Sequence, residues 1–339
     1  MKYRQLGNTG IQVSEIGFGG WGIGGITPGA TSYGSTDDDT SARALACALE
    51  KGINFYDTSN VYGAGHSEVL IGRVLKKSRD RVIITTKAGL PGYGEAPDFS
   101  PAGIQRSVEA SLGRLQTDYI DLLLFHNPEV EGMGQEILRL VDKWRQNGTI
   151  RSFGVSVRTP EDGMKILETL SPDAIQTNFN LMDRRAIESG LFDRALEVKT
   201  SIIARTPLCF GFLSGGIEPD AVFRREDHRS RWSKKQITLW AEGARKLMEC
   251  KSDAIVQTNT QFALRFCLSY PAVASTIPGM LTEAEVLENG HASELGALTE
   301  MELSKVALVY RESNGFVDME TMKIAQRKDP GKQDSAGSR

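Results

Sequence analysis

The sequence predicts an α/β fold in which eight parallel strands close into an (α/β)8 barrel. Short apolar runs rich in β-branched residues alternate with longer stretches of helical period along the whole chain. The alternation repeats about eight times at roughly 25 to 40 residues per unit, the rhythm of a closed barrel. Near-continuous apolar runs such as LLLF (122 to 125) suit strands buried on both faces. The 339 residues are enough for two ordinary domains, yet barrels commonly use this length as one. The expected organisation is a single barrel domain over residues 1–326 and a mobile polar tail over 327–339.

Taken in order, KYRQLGNTGIQVSEI (2 to 16) reads as a hairpin turning around Gly7 to Gly10, placed to plug the barrel floor. Strands are expected at EIGFGGW (15 to 21), INFYDTS (53 to 59), RVIITTKA (81 to 88) and YIDLLLFH (119 to 126). Four more follow at IRSFGVS (150 to 156), AIQTNF (174 to 179), TSIIART (200 to 206) and AVASTIPG (272 to 279). Helices are expected over 37–51, 67–77, 101–115, 135–147, 160–170, 186–198, 257–269 and 282–292. The first has Thr36 as its expected cap, with Asp37, Asp38 and Asp39 where the helix dipole favours negative charge. Gly24 to Thr36, Ala88 to Ser100 and Leu208 to Ser233 exceed ordinary loop length, as functional lids do.

A net charge of −3 without a concentrated basic face excludes nucleic acid as the expected ligand. Four scattered cysteines form no CxxC pair, so neither a zinc site nor a disulfide framework is indicated. His66, His126, His228 and His291 form no HxH pair, and only His126 ends a strand, which argues against a metal-dependent hydrolase. With no apolar run of membrane-spanning length, the expectation is a soluble cytoplasmic protein.

In such a barrel the active site lies at the C-terminal ends of the strands. There the second strand delivers Asp57, with Tyr62 in the loop beyond; the third delivers Lys87 and the fourth His126. Each alone has an ordinary structural reading, as cap, solvent-facing end, core histidine or packed aromatic. Together they form a proton-transfer set. A phenol is a poor acid near its free pKa of about 10; a neighbouring lysine favours phenolate, an aspartate keeps that lysine charged, and a histidine orients a carbonyl.

With these residues, DTSNVYGAGHSE (57 to 68), TTKAG (85 to 89), FHNPE (125 to 129), GVS (154 to 156) and IPG followed by LENG (287 to 290), the chain resembles the aldo-keto reductases from about Tyr3 to about Tyr310. The resemblance implies a TIM barrel that binds NADH or NADPH without a Rossmann domain, and a catalytic tetrad of Asp57, Tyr62, Lys87 and His126. It implies hydride transfer between nicotinamide and an aldehyde or ketone, or the corresponding alcohol, which includes sugars, with Tyr62 as proton donor.

By the same resemblance Ser156 and Gln176 contact the nicotinamide carboxamide, and Glu288 and Asn289 the adenine. The run after the seventh strand lies over the pyrophosphate, with backbone groups of Leu208, Gly211 and Leu213 as contacts. Two departures stand out. Arg205 occupies the place of a tyrosine that stacks on nicotinamide, and Gly216 the place of a lysine. Where NADPH-preferring members carry basic or hydroxyl groups, this chain has Gly279, Met280 and Glu285, and no lysine or arginine occurs from Phe266 to Ser304. A carboxylate repels a 2′-phosphate and accepts hydrogen bonds from a ribose hydroxyl, so NADH is the expected carrier. NADPH is the alternative if Arg224, Arg225 or Lys234 reaches over from the long loop.

Trp21, Tyr93 and Asn127 are the expected substrate contacts, an aromatic wall with one polar anchor. The partner is thus a small-molecule carbonyl or alcohol, with no metal, nucleic acid or membrane. The rival reading keeps the barrel and the nucleotide without turnover, as a regulatory subunit, because a fold does not establish catalysis.

Overall fold

The computed structural model describes residues 1–27, 31–129, 133–313 and 316. The expected domain end at 326 and the tail beyond it lie outside the described residues. The opening hairpin pairs β1 (Tyr3–Gln5) with β2 (Gln12–Ser14) in antiparallel register. Arg4 of β1 ties it down, donating to Glu15 and to the carbonyls of Leu268 and Val273.

Eight parallel strands follow, each within its expected run: β3 (Phe18–Gly19), β4 (Phe55–Asp57), β5 (Ile83–Ala88), β6 (Ile120–His126), β7 (Ile150–Ser156), β8 (Ala174–Asn178), β9 (Ser201–Arg205) and β10 (Val273–Thr276). Sequence neighbours pair throughout. The ends meet through parallel bridges from Ile16 to Thr276 and from Gly19 to Gly279, which close the sheet into a barrel. A side chain on Gly19 would strike the carbonyls of Ile277 and Pro278, so closure at this point needs glycine.

Side chains alternate between the two faces of a strand. Inward residues Phe55, Ile83, Leu122, Leu124, Ala174 and Ile203 pack with Leu6, Ile11 and Val13 of the hairpin into the barrel's lower core. The hairpin is therefore the expected plug. Outward residues such as Tyr56, Ile84, Leu123, Phe125 and Ile175 pack against the helices.

The helices are α1 (Asp38–Glu50), α2 (His66–Leu75), α3 (Pro101–Leu115), α4 (Gln135–Asn147), α5 (Pro160–Thr169), α6 (Arg185–Glu188), α7 (Leu191–Glu197), α8 (Lys234–Met248), α9 (Asn259–Leu268), α10 (Glu283–Leu295) and α11 (Glu300–Glu312). The cap of α1 is Asp37, which accepts from the Thr40 amide at 2.8 Å, and not Thr36. The expected helix over 186–198 is two, divided by Gly190 at φ +78°. Helices α8 and α11 fall outside the expected set, although Ser233 and the Thr299–Glu302 capping box mark their starts.

Candidate active site

The same alternation that fills the lower core with Phe55, Ile83, Leu124, Ala174 and Ile203 turns Asp57, Lys87, His126, Gln176 and Arg205 inward at the upper rim, with Ser156 beside them. Tyr62 is placed by its loop. Gly63, at φ +61°, packs so closely on Gly24 that an added Cβ would lie 1.9 Å from the Gly24 carbonyl oxygen. Bonds from the Tyr62 amide to Ser59 and from the Ser67 amide to the Tyr62 carbonyl complete the turn.

Lys87 Nζ donates to both Asp57 oxygens (2.8 and 2.9 Å), the Thr58 carbonyl (2.8 Å) and the Tyr62 hydroxyl (3.1 Å). Three ammonium hydrogens thus serve one carboxylate, one carbonyl and one phenol, which satisfies a cation only 1% exposed. Behind Asp57, Gln176 Nε2 donates to Oδ2 at 2.6 Å, and Gln176 Oε1 accepts from Ser156 Oγ at 3.2 Å. The result is one hydrogen-bonded chain, Ser156–Gln176–Asp57–Lys87–Tyr62, buried up to Lys87 and half-buried at Tyr62. His126 Nδ1 lies 3.4 Å from Ser59 Oγ.

The electrostatics amend the expected role of the lysine. Burial and the charge of Asp57 push the Tyr62 phenol well above its ordinary pKa, and the cation that opposes them is Arg205. Tyr62 therefore rests as the protonated phenol, not as phenolate. Burial also lowers Lys87, against the pull of Asp57. His126 is held well below its ordinary value by burial and by Lys87, Arg205 and Arg158, so its imidazole is neutral.

Arg205 ends β9 and donates to the Val157 carbonyl at 2.8 Å. Asn127, at φ +53°, donates its amide to the Ser156 carbonyl at 2.8 Å. Trp21 donates to the Thr31 carbonyl and packs on Tyr33 and His228, which joins two of the long loops through an aromatic cluster. Tyr93 is 38% exposed, and its hydroxyl feels both Tyr62 and Arg205.

The cofactor positions divide. The Gly211 and Leu213 amides both donate to the Leu208 carbonyl, so in this conformation the loop spends them internally. Met280 is buried in the packing between the sheet and the helices, while Gly279 is exposed at the closing bridge. Asn289 is buried and Glu288 half-exposed on α10. Glu285 is the N3 residue of a capping box: its Oε2 accepts from the Leu281 amide (2.7 Å), the Thr282 amide (2.9 Å) and the Thr282 hydroxyl (3.2 Å). Sequence reasoning missed this second task, although Thr282 three residues before Glu285 is its signature. A hollow of about 390 Å³ lies at the opposite end of the barrel, lined by Tyr3, Gln12, Asn54 and Arg81 among others.

A profile of the aldo/keto reductase family matches residues 15–311. Aldo-keto reductase YhdN of Bacillus subtilis (strain 168) is 32% identical over 279 residues, covering 80% of this chain and 82% of that protein. L-galactose dehydrogenase of Arabidopsis thaliana is 29% identical over 311 residues, covering 89% of each. The solved structure of the glycerol dehydrogenase AKR11B4 from Gluconobacter oxydans superimposes with a TM-score of 0.77 at 28% identity, covering 99% of each chain. Among the described residues no helix is long and apolar enough to cross a membrane, and no cluster of histidine, cysteine and carboxylate suits a metal ion. The chain belongs to the aldo/keto reductase family and is an NAD(P)H-dependent oxidoreductase acting on small-molecule carbonyl compounds.

Proposed function

We propose that Tyr62 protonates the substrate carbonyl oxygen during reduction, with Asp57 and Lys87 holding the phenol and neutral His126 as a second hydrogen-bond partner of that oxygen. The carrying observation is the 3.1 Å bond from Lys87 to the phenol oxygen. Because the ammonium is the donor, the O–H of Tyr62 is left to point at a substrate. Donors set around a developing oxyanion in a dry site are worth most at the transition state.

The carboxamide of a nicotinamide fits Ser156 and Gln176. After its bonds to Asp57 and Ser156, Gln176 keeps one amide hydrogen and one lone pair. When bound, the nicotinamide supplies the hydride in reduction and accepts it in oxidation.

NADH is the preferred carrier in this reading. A helix N-terminus is a ready anion site, but at α10 the Glu285 carboxylate already takes the Leu281 and Thr282 amides. A 2′-phosphate would meet that charge with no lysine or arginine between Phe266 and Ser304. Arg43, the cation bonded at this end, is exposed and spent on Glu283 at 3.5 Å. Repulsion of this kind is worth about 1 to 3 kcal/mol, a preference of roughly tenfold to a hundredfold.

The substrate is a hydroxylated carbonyl compound or polyol, a reading supported by the names of the galactose and glycerol dehydrogenases above. The working unit is a single barrel domain. Four free cysteines accord with the reducing cytoplasm. The test is to supply NADH and NADPH separately against a panel of neutral and hydroxylated aldehydes and ketones. Carbonyl-dependent oxidation with NADH ahead of NADPH is the expected result. Dinucleotide binding without oxidation across the panel would favour a regulatory subunit instead.

A further inference from the structure

We infer that Arg205 sets the redox-state preference of the site: its charge favours the reduced dinucleotide, whose nicotinamide ring is neutral, over the oxidised one, whose ring is a cation. In carbonyl reduction the oxidised product is then the form the protein holds least. This rests on the oxidoreductase reading of the site and adds a residue that governs cofactor exchange.

Strand alternation on β9 turns Ile203 into the barrel core and therefore Arg205 into its mouth, on the same side as Asp57, Lys87 and His126. One guanidinium nitrogen donates to the Val157 carbonyl at 2.8 Å, and the Nε–H is buried with no partner. The carboxylates around it are already committed. Asp57 is bonded to Lys87 and Gln176, and Asp183 holds Arg185 through two bonds of 2.8 and 2.6 Å. Among the described residues no carboxylate pairs with Arg205, while Lys87 and Asp57 offset each other. The mouth therefore carries an uncompensated positive charge. Its field reaches Tyr62 and His126, the two side chains assigned to the reacting oxygen, and lowers the pKa of each.

The chemistry places the ring in that field. Hydride transfer needs the donor carbon of the ring in contact range of the carbonyl carbon, and the oxygen on that carbon meets Tyr62 and His126. The carboxamide partners Ser156 and Gln176 stand on β7 and β8, and β8 pairs directly with β9, with Asn178 in register with Arg205. Reduction moves a hydride to the carbonyl carbon and the Tyr62 proton to the oxygen, so the ring passes from neutral to singly positive beside an unpaired guanidinium.

The pyrophosphate carries the same charge in both redox forms. Whatever it contributes at Arg205 is common to the two and leaves their difference in place. Repulsion between two unit charges in a partly buried site is readily worth a factor of about ten in affinity.

The experiment measures dissociation constants for NADH, NAD+ and ADP-ribose by tryptophan quenching on the full chain. ADP-ribose keeps the pyrophosphate and lacks the ring. The proteins are the wild type, Arg205→Met, Arg205→Gln and Arg205→Lys; the first two variants remove the charge with different shapes, and the third keeps it. In the wild type NADH should bind about tenfold or more tighter than NAD+. That ratio should fall at least about threefold in Arg205→Met and Arg205→Gln and persist in Arg205→Lys. Because the ratio is taken within each protein, a general loss of affinity does not imitate the effect. A wild-type ratio near one overturns the inference. So does a ratio that holds in both neutral variants while NADH, NAD+ and ADP-ribose all weaken alike, which would make Arg205 a pyrophosphate ligand only. Failure of the wild type to bind either dinucleotide overturns the oxidoreductase reading as well, whereas NADH-dependent turnover with a ratio near one overturns this inference alone.

Discussion

Lys87 stands between a carboxylate and a phenol: its Nζ bonds both oxygens of Asp57 on one side and the Tyr62 hydroxyl, 3.1 Å away, on the other. The lysine at rest thus positions Tyr62 more than it ionises it. Lys87→Met would leave Asp57 buried and unpaired, a loss of about 3 to 5 kcal/mol in unfolding free energy. The same variant should lower kcat by roughly a hundredfold to ten-thousandfold, because the proton donor loses its anchor. Denaturant titration and steady-state kinetics read the two effects. Wild-type stability in Lys87→Met would show that the pair does not form.

The pH dependence follows from two opposite shifts. Tyr62 lies above its usual value of about 10, so the protonated form needed for reduction persists to about pH 10 and beyond. His126 lies below 6.5, so it stays neutral down to about pH 6. The kcat for carbonyl reduction should be flat from about pH 6.5 to 10. Alcohol oxidation, which needs the phenolate, should keep rising through that window. A falling limb in reductive kcat centred below about pH 9 would count against the assignment.

Glu285 combines a cap with a charge, and two variants separate them. Glu285→Gln keeps an oxygen for the Leu281 and Thr282 amides and removes the charge. It should strengthen NADPH binding by roughly tenfold to a hundredfold with little change in Tm. Glu285→Ala removes both and should also cost about 1 kcal/mol of stability. An unchanged NADH to NADPH ratio in Glu285→Gln would mean that the carboxylate acts only as a cap.

His228 joins the loop after β3 to the loop after β9. Its amide and Nδ1 both meet the Ser32 carbonyl, and its ring contacts Trp21, Tyr33, Phe210 and Trp232. Burial lowers its pKa to about 4, against the raising effect of Asp227, with Arg229 and Arg231 lowering it further. The folded value lies below the unfolded one, so the contribution is full above about pH 6.5 and is lost as pH falls toward 4. The loss is on the order of 3 kcal/mol. Tryptophan fluorescence should report the loops parting over that range, and His228→Phe should remove the transition. Superimposable acid titrations of the two proteins would refute the latch.

The barrel was legible because strand and helix periods repeat and because LLLF-type strands admit few other environments. The tetrad positions were legible for the same reason: a polar residue ending an apolar run faces the mouth if the residue two places earlier faces the core, as Phe55 does for Asp57. What the sequence withheld were partners. Nothing local says that Gln176 bonds Asp57, 119 residues away, that the Gly211 and Leu213 amides turn on Leu208, or that burial outweighs Lys87 at Tyr62. The capping box of Glu285 was present in the letters and was overshadowed by its charge. Helix α8 was hidden by Gly243, whose added Cβ would meet the Phe316 ring at 2.5 Å; the glycine serves packing, at the expense of helix propensity.

The most direct measurement is on Tyr62→Phe, which removes one hydroxyl from the end of the Ser156–Gln176–Asp57–Lys87 chain. Steady-state turnover and NADH binding by tryptophan quenching should be measured on the same preparation. Turnover should fall by at least about a hundredfold while the dissociation constant for NADH stays within about threefold of the wild type. Wild-type turnover in Tyr62→Phe would contradict the role of this residue as proton donor.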